Sequence, residues 1–231
     1  MVRNRRTRAR TRRATDAESV AVIGLGRFGQ ALALELADEE TEVLGVDSDA
    51  EIVQSLSGAL THVVRADSTR EEALRQLGVH EFDRAVVGIG TDLEASILTT
   101  SLLVSFGIRD VWAKATSQAH GRILTQLGVQ HVVYPEHDMG QRVAHLVRGR
   151  MLDYIEFEDD FALVKTSPPS VVVGKRLGDS GVRTHHGLTV VAIKRPGEGF
   201  TYATADTVVR AEDTIIVAGR TRQTERFSEL R

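Results

Sequence analysis

Three glycines early in the chain have the spacing Gly24-x-Gly26-x-x-Gly29. In a strand-to-helix turn, the first glycine permits a tight bend, the second lets a phosphate approach the backbone, and the third lets helix and strand pack closely. Here the turn follows an apolar run and opens a helical pattern, which the phosphate-binding motif requires. We therefore predict that it holds the phosphates of a nucleotide at a helix N-terminus. Its residues are Gly24, Leu25, Gly26, Arg27, Phe28 and Gly29.

Asp47 is a second candidate, because it ends an apolar run 23 residues after Gly24. In nucleotide-binding folds of this kind, an acidic residue about 20 residues after the glycines is the usual partner of the ribose. A carboxylate there accepts hydrogen bonds from both ribose hydroxyls and repels a 2′-phosphate, so NADP is disfavoured. Ser48 follows directly and is placed in the same candidate site.

Arg27 lies inside the glycine turn, beside the predicted phosphate position. A guanidinium offers paired donors to phosphate oxygens. Such a group suits a ligand with an exposed terminal phosphate, such as ATP or ADP, better than a dinucleotide whose pyrophosphate lies between two nucleosides. An exposed arginine with no ligand role remains the alternative.

Apolar runs alternate with helical patterns from residue 19 to residue 134, and this predicts the elements that position the candidate residues. The predicted strands are 19–24, 42–47, 62–66, 84–89, 111–115 and 131–134. The predicted helices are 27–37, 49–56, 69–77, 92–106 and 118–127. This alternation predicts an α/β fold with a Rossmann-like, doubly wound parallel sheet. Ligands of such sheets lie outside the carboxyl ends of the strands.

The pattern changes after residue 150, where β-rich runs occur at 161–166, 189–194 and 214–218, with a short helix near 175–180. Proline and glycine interrupt these runs, which indicates a small α+β domain. We predict four segments, which are a disordered arginine-rich tail (1–18), a nucleotide-binding domain (19–137), a connecting helix (138–150) and the α+β domain (151–231).

Composition limits the classes of function. The 231 residues carry a net charge of -3, but seven arginines fall in residues 1–15, which leaves 22 basic against 32 acidic side chains in the rest. Because residues 16–231 are this acidic, they are poorly suited to general binding of nucleic acid. The tail is a solvated extension or, alternatively, an arm for anionic lipid or an acidic partner. No secretory signal or membrane span is predicted, and the absence of cysteine excludes disulfides, so we expect a cytoplasmic protein.

Catalytic patterns are missing from the sequence. There is no GxxxxGK[ST] loop, which argues against a P-loop ATPase. The eight histidines show no zinc-like spacing, and His185-His186 beside Gly187 is predicted to form a turn. No nucleophile, base and acid are placed together by spacing. We therefore predict that the chain is not an enzyme.

Several segments together resemble a known family. The stretches SVAVIGLGRFGQALALEL, VLGVD, RADSTREEALRQLGV and FDRAVVGIGTDLEASILTTSLL, followed by VWAKATSQAHGRILTQLGVQHVVYPEHDMGQRVA, look like an RCK (regulator of potassium conductance) domain. The C-terminal segment LGDSGVRTHHGLTVVAIKRPGEGFTYATADTVVRAEDTIIVAG looks like the small C-terminal RCK subdomain. The resemblance runs from about Ser19 to the end and is greatest to the single-unit cytosolic regulatory subunits of Ktr- and Trk-type potassium uptake systems. It does not cover residues 1–15.

The resemblance implies a sensor that binds ATP or ADP. Such subunits form homodimers that assemble into an octameric ring under a membrane-embedded potassium-translocating partner. The nucleotide bound switches the conformation of the ring and so gates the partner. The chain would then be cytoplasmic and peripheral to the inner face of the plasma membrane.

The resemblance also assigns roles to single residues. Arg27 would approach the γ-phosphate, sometimes that of the neighbouring subunit's ATP, and Asp47 would hold the ribose. Glu136 would help bind Mg or Ca near the phosphates of two subunits, or would only cap the helix after Pro135. The remaining residues of the nucleotide site would be Asp67 and Ser68 at the adenine, and Ile89, Gly90 and Lys114 at strand ends over the nucleotide.

The sequence leaves open whether the chain binds two further ligands, cyclic di-AMP and NAD(H). Some relatives bind cyclic di-AMP between two C-terminal subdomains, and residues 177–193 would carry that site here, with Arg183 as a phosphate contact. Asp47 suits NAD(H) as well as ATP, so an NAD(H)-sensing RCK regulator is an alternative. An NAD-dependent oxidoreductase is a further alternative, disfavoured by the missing catalytic residues.

Overall fold

A computed structural model describes residues 19–148 and 151–230 as two units that divide between Pro135 and Glu136. The first unit contains a six-stranded parallel sheet with the order β3-β2-β1-β4-β5-β6. Its strands are β1 (Ser19–Ile23), β2 (Glu42–Asp47), β3 (His62–Arg65), β4 (Arg84–Val87), β5 (Asp110–Lys114) and β6 (His131–Val133). The predicted Rossmann-like, doubly wound parallel sheet is confirmed.

Five helices connect these strands, and three of them begin at a residue whose side chain caps the helix. Asp49, Asp92 and Ser117 each accept a hydrogen bond from a backbone N–H in the first turn of the helix that follows. Such caps satisfy donors that a helix start leaves without partners. The helices are α1 (Arg27–Asp38), α2 (Ala50–Ser55), α3 (Glu71–Gln76), α4 (Leu93–Ser105) and α5 (Gln118–Gln126).

Alternate side chains of the central strands are buried on opposite faces of the sheet. Ile23 belongs to a cluster with Leu103 of α4 and Leu124 of α5. Its neighbour Val22 belongs to a second cluster with Ala33 of α1. Burial on both faces explains why these strands are continuous apolar runs.

The strand order reverses at β1, which lies between β2 and β4. Backbone hydrogen bonds continue just past the strand ends, since the Gly24 N–H donates to the Val46 carbonyl at 2.8 Å and the Gly88 N–H donates to the Ile23 carbonyl at 2.7 Å. Ligands of open parallel sheets bind in the crevice at such a reversal. The glycine turn therefore begins at the expected place in the topology.

The second unit contains a five-stranded antiparallel sheet with the order β10-β9-β11-β8-β7. Met151, Val164 and Phe227 are part of its core, and Leu146 packs against that core. The elements are α6 (Pro135–Arg148), β7 (Met151–Phe157), β8 (Phe161–Thr166), α7 (Val182–His186), β9 (Thr189–Lys194), β10 (Phe200–Tyr202), β11 (Thr214–Arg220) and α8 (Thr221–Glu229).

Some predictions of local structure were wrong. The connecting helix begins at Pro135 rather than residue 138, because proline suits the first helical position and Glu136 lies in the acidic first turn. The predicted turn at His185-His186 is the last turn of α7, which ends at Gly187 with φ of 69°. The prediction for the tail, residues 1–18, lies outside the described residues. Among the described helices, none is long and apolar enough to cross a membrane.

Candidate functional site

The shape of the glycine turn depends on Gly24 and Gly29. Gly24 has φ of 87°, a left-handed conformation that L side chains rarely adopt. A Cβ on Gly29 would lie 1.9 Å from the Gly24 carbonyl oxygen, which is backbone and cannot move aside. Gly88, after β4, approaches the same oxygen, because its Cβ would lie 2.7 Å away. The three backbones therefore pack too closely for any side chain.

Gly26 differs from Gly24 and Gly29, since a Cβ there would have no heavy atom of residues 19–148 and 151–230 within 4 Å. Gly26 is the N-cap residue of α1, and no side chain caps this helix. The first helical hydrogen bond runs from the Gln30 N–H to the Gly26 carbonyl at 2.8 Å. Gly26 and Arg27 are exposed and no described side chain accepts from this helix start, which is the arrangement that binds phosphate at helix N-termini.

Asp47 joins the end of β2 to the glycine turn. Its Oδ2 accepts a hydrogen bond from the Leu25 N–H at 2.6 Å, and its Oδ1 accepts one from the Asp49 N–H at 2.9 Å. Each carboxylate oxygen has a further lone pair, so ribose hydroxyls can still donate to it. Leu25 contributes to the turn only through its backbone, because its side chain is fully buried in the core.

Asp67 and Ser68 follow β3 and Ser48 follows β2, and each has a polar atom bonded within the chain. The exposed Asp67 accepts hydrogen bonds from the Thr69 hydroxyl at 2.6 Å and the Thr69 N–H at 3.0 Å. These bonds, the hydroxyl first, hold the pKa of Asp67 below its ordinary value, with a smaller contribution from Arg70. Ser68 is buried, and its hydroxyl lies 2.8 Å from that of Thr99. Ser48 is exposed, and its carbonyl accepts from Arg65 Nε at 3.0 Å.

Lys114 places a cation at the carboxyl ends of β4 and β5. It is 9% exposed, and its ammonium lies 5.9 Å from the centre of the Phe28 ring in the glycine turn. A Cβ on Gly90 would lie 3.1 Å from the Lys114 Nζ. Ile89 contacts the turn from the same side, since its Cγ1 would be 2.7 Å from a Cβ on Gly24. The structure therefore brings these four residues together around the start of α1.

Arg27 and Glu136 each lie in the first turn of a helix. Arg27 begins α1 with an exposed side chain that forms no ion pair within residues 19–148 and 151–230. Glu136 lies in the first turn of α6 and belongs to the second unit. Within those same residues, no cluster of three or more histidine, aspartate or glutamate side chains could hold a metal ion.

Sequence reasoning missed Thr116 and His120. Thr116 follows the end of β5, and its Cγ2 would lie 3.6 Å from a Cβ on Gly90. His120 is 2% exposed, and its Nδ1 lies 3.3 Å from both the backbone nitrogen and the hydroxyl of Thr116. The only sequence signal for this pair is a histidine three residues after Ser117, the cap of α5.

Comparison with known proteins decides the family. Residues 20–135 match the model of the TrkA-N domain, and residues 161–231 match that of the TrkA-C domain. Ktr system potassium uptake protein C of Bacillus subtilis is 38% identical over 210 residues, which are 90% of this chain and 95% of that protein. The chain belongs to the RCK regulatory subunits of Ktr- and Trk-type potassium uptake systems. Ktr system potassium uptake protein A of Vibrio alginolyticus is 34% identical and covers 89% of this RCK subunit.

Solved structures support the fold of this RCK subunit. The GsuK RCK domain superimposes with a TM-score of 0.64 over 94% of this chain, at 18% identity. The GsuK channel bound to NAD gives a TM-score of 0.63 over 91% of this chain, at 17% identity. This RCK subunit spans 48% and 39% of those two chains.

The second unit of this RCK subunit contains a cavity of about 390 Å³. Arg183 of α7 lines it, and its guanidinium donates to the Thr189 hydroxyl at 3.1 Å. The cavity lies within the predicted 177–193 segment and extends to residues 203–205. Its size is within the usual range for small-molecule sites.

Proposed function

We propose that this chain is a regulatory subunit that binds ATP and ADP and gates a membrane potassium channel or transporter through a conformational change of an RCK ring. It senses the nucleotide and does not catalyse a reaction. The observation that carries the proposal is the uncapped start of α1, where Gly26 faces open space and Arg27 follows directly. That arrangement supplies backbone donors and a cation to one phosphate chain.

The other candidate residues fit the same ligand. Asp47 accepts ribose hydroxyls while it holds the Leu25 N–H. Lys114 supplies a second cation beside the turn. Asp67 and Ser68 lie at the end of β3, where the adenine would sit. Gly90 lets the Lys114 ammonium lie close to the chain after β4, since a Cβ on Gly90 would be 3.1 Å from the Lys114 Nζ.

ATP and ADP differ by one phosphate, and a ligand shifts a conformational equilibrium only by its difference in affinity for the two states. Charge-assisted hydrogen bonds contribute on the order of 1.5–3 kcal/mol each. Contacts of the γ-phosphate with Arg27 would therefore change the populations roughly tenfold or more.

Arg27→Ala is expected to reduce the preference for ATP over ADP about tenfold while it weakens ADP binding much less. The reason is that the exposed guanidinium reaches the terminal phosphate, whereas the backbone of the turn binds the others. Isothermal titration calorimetry with each nucleotide measures the two affinities. Arg122→Ala, an exposed arginine on α5, is the matched control. Equal losses for ATP and ADP in the Arg27 variant would contradict the assignment.

NAD(H) is a second candidate ligand. One structural neighbour is the GsuK channel bound to NAD, and Asp47 suits the ribose of either nucleotide. A competition experiment with ATP and NADH on the wild-type chain distinguishes an ATP/ADP sensor from an NAD(H) sensor. Displacement of ATP by micromolar NADH would favour the NAD(H) sensor.

We further propose that the chain forms homodimers that assemble into an octameric ring under its membrane-embedded potassium-translocating partner, at the cytoplasmic face of the membrane. An exposed apolar stripe on α6, Met139, Val143 and Val147, supports contact with a second copy. Val147 is the most exposed of the three, at 79%. Glu136 would supply one carboxylate to Mg or Ca between subunits, with phosphate oxygens and the second subunit completing the site.

The cavity in the second unit favours cyclic di-AMP as a second ligand, bound between two copies. Arg183→Ala is expected to weaken cyclic di-AMP binding about tenfold, because it removes the cation that lines the cavity. Microscale thermophoresis measures this affinity. Arg210→Ala, an exposed arginine outside the cavity, is the control and should bind like the wild type. Unchanged affinity in the Arg183 variant would remove this residue from the site.

A further inference from the structure

His120 is a buried imidazole that bonds to the chain just after β5. It lies in the first turn of α5, and its Nδ1 accepts a hydrogen bond from the Thr116 N–H at 3.3 Å. An accepting Nδ1 carries no proton, so the neutral ring carries its proton on Nε2. Burial lowers the pKa of His120 from its ordinary value, which agrees with a neutral ring.

The other end of the ring makes no such bond. His120 Nε2 is buried and has no hydrogen-bond partner among residues 19–148 and 151–230. A buried polar group without a partner lowers the stability of the fold. The hydrogen bond that Nδ1 accepts from the Thr116 N–H therefore explains why a histidine lies here.

The Thr116 N–H needs this acceptor because of its place in the fold. The last backbone bond of β5 toward β6 is donated by the Ala115 N–H to the Val133 carbonyl at 2.8 Å. Beyond it the chain turns into α5, and His120 accepts the next N–H in place of a neighbouring strand. The imidazole therefore fixes where β5 ends and how the chain leaves it.

The segment fixed in this way forms one wall of the candidate nucleotide site. The Thr116 methyl and the Lys114 ammonium both lie against Gly90, at 3.6 Å and 3.1 Å from the position of a Cβ on that glycine. The same ammonium lies 5.9 Å from the Phe28 ring in the glycine turn. A shift of Thr116 would therefore move the Lys114 cation relative to the start of α1.

We infer that His120 is a positioning residue for nucleotide binding, which acts through the bond between its Nδ1 and the Thr116 N–H and thereby sets the place of Lys114 beside Gly90. The inference rests on the proposed function, since it concerns the same site. His120 does not touch the nucleotide itself.

Two substitutions separate this role from simple packing. His120→Asn keeps an acceptor oxygen near the place of Nδ1 but loses volume, and it sacrifices no hydrogen bond at the Nε2 end. His120→Leu keeps the volume but offers no acceptor. If His120 only fills space, His120→Asn should lose more ATP affinity than His120→Leu. If His120 positions Thr116, His120→Leu should lose more.

ATP affinity of the three proteins, measured by calorimetry, tests the inference. We expect His120→Leu to bind ATP about tenfold more weakly than the wild type, and His120→Asn to stay within about threefold, even if it melts at a lower temperature. Equal affinities in all three proteins, or a greater loss in His120→Asn, would overturn it. If His120→Leu does not fold, His120→Met replaces it, with the same expectation.

A second readout does not depend on the ligand. Hydrogen exchange of the Thr116 amide should be slow in the wild type and in His120→Asn, and faster in His120→Leu. Equal exchange in wild type and His120→Leu would overturn the positioning role. A wild-type chain that binds no nucleotide would instead contradict the proposed function, so the two failures are distinguishable.

Discussion

Replacing Gly29 by alanine is expected to abolish nucleotide binding and to lower the free energy of unfolding by about 3 kcal/mol. The added Cβ would lie 1.9 Å from the Gly24 carbonyl oxygen and 3.0 Å from the carbon of the same group. Both atoms are backbone, so relief requires that α1 move away from β1 or that the Gly24 turn open. Overpacking of a close contact costs typically 1–3 kcal/mol, and a backbone clash lies at the upper end.

Chemical denaturation measures the loss of stability, and calorimetry with ATP measures the loss of binding. Gly199→Ala is the matched control, because a Cβ at that exposed glycine would have no heavy atom of the described part of the chain within 4 Å. The control should behave like the wild type in both measurements. A Gly29→Ala protein that is as stable as the wild type would show that the close approach of α1 and β1 is not required.

Replacing Asp47 by alanine is expected to weaken ATP and ADP binding at least a hundredfold, equally for both nucleotides. The carboxylate holds the Leu25 N–H of the glycine turn and the Asp49 N–H, and in the proposed site it also accepts the ribose hydroxyls. Loss of charge-assisted bonds worth on the order of 1.5–3 kcal/mol each accounts for an effect of this size. Asp47→Asn should rescue little, because its NH₂ group would face one of the two N–H donors.

Asp49 offers a control two residues away, since it caps α2 by accepting from the Glu51 N–H at 2.8 Å. Asp49→Ala should cost about 1 kcal/mol of stability and leave nucleotide affinity unchanged. Fluorescence titration with a labelled ATP analogue compares the two variants directly. Equal affinities of the Asp47→Ala and Asp49→Ala proteins would contradict the role of Asp47.

The parallel sheet could be predicted because its strands are buried on both faces. Val22 and Ile23 face different helices, so both must be apolar, and the resulting run is plain in the sequence. The glycine turn could be predicted for a related reason, since the close contact of Gly29 with Gly24 leaves a fixed spacing of glycines.

The sequence of the second unit predicts its strands and helices less clearly. β7 was not predicted, because one face of this edge strand is exposed and carries acidic residues among its apolar ones. β10 has only three residues, all of them exposed. In α8 the buried residues Thr221, Thr224 and Ser228 are polar, so the apolar periodicity of a helix is largely missing.

The sequence predicted which candidate residues follow strand ends but not where their side chains point. Ser68 follows β3 as expected, yet its hydroxyl is buried against Thr99. Leu25 lies in the turn, yet its side chain fills the core. The bond between Thr116 and His120 could not be predicted either, because it depends on how the chain turns between β5 and α5.

Calorimetric titration of the wild type and of Gly26→Ala with ATP tests most directly whether the start of α1 is a phosphate site. Gly26 has φ of -63°, and a Cβ there would meet no heavy atom of the described residues within 4 Å, so the unliganded variant should still fold and should lose about 1 kcal/mol of stability, the cost of alanine in place of glycine at an N-cap. The methyl would occupy the space that a phosphate needs to reach the backbone N–H groups. We expect saturable ATP binding by the wild type and at least a hundredfold weaker binding by the variant. Equal ATP affinity of the two proteins would contradict the proposed site.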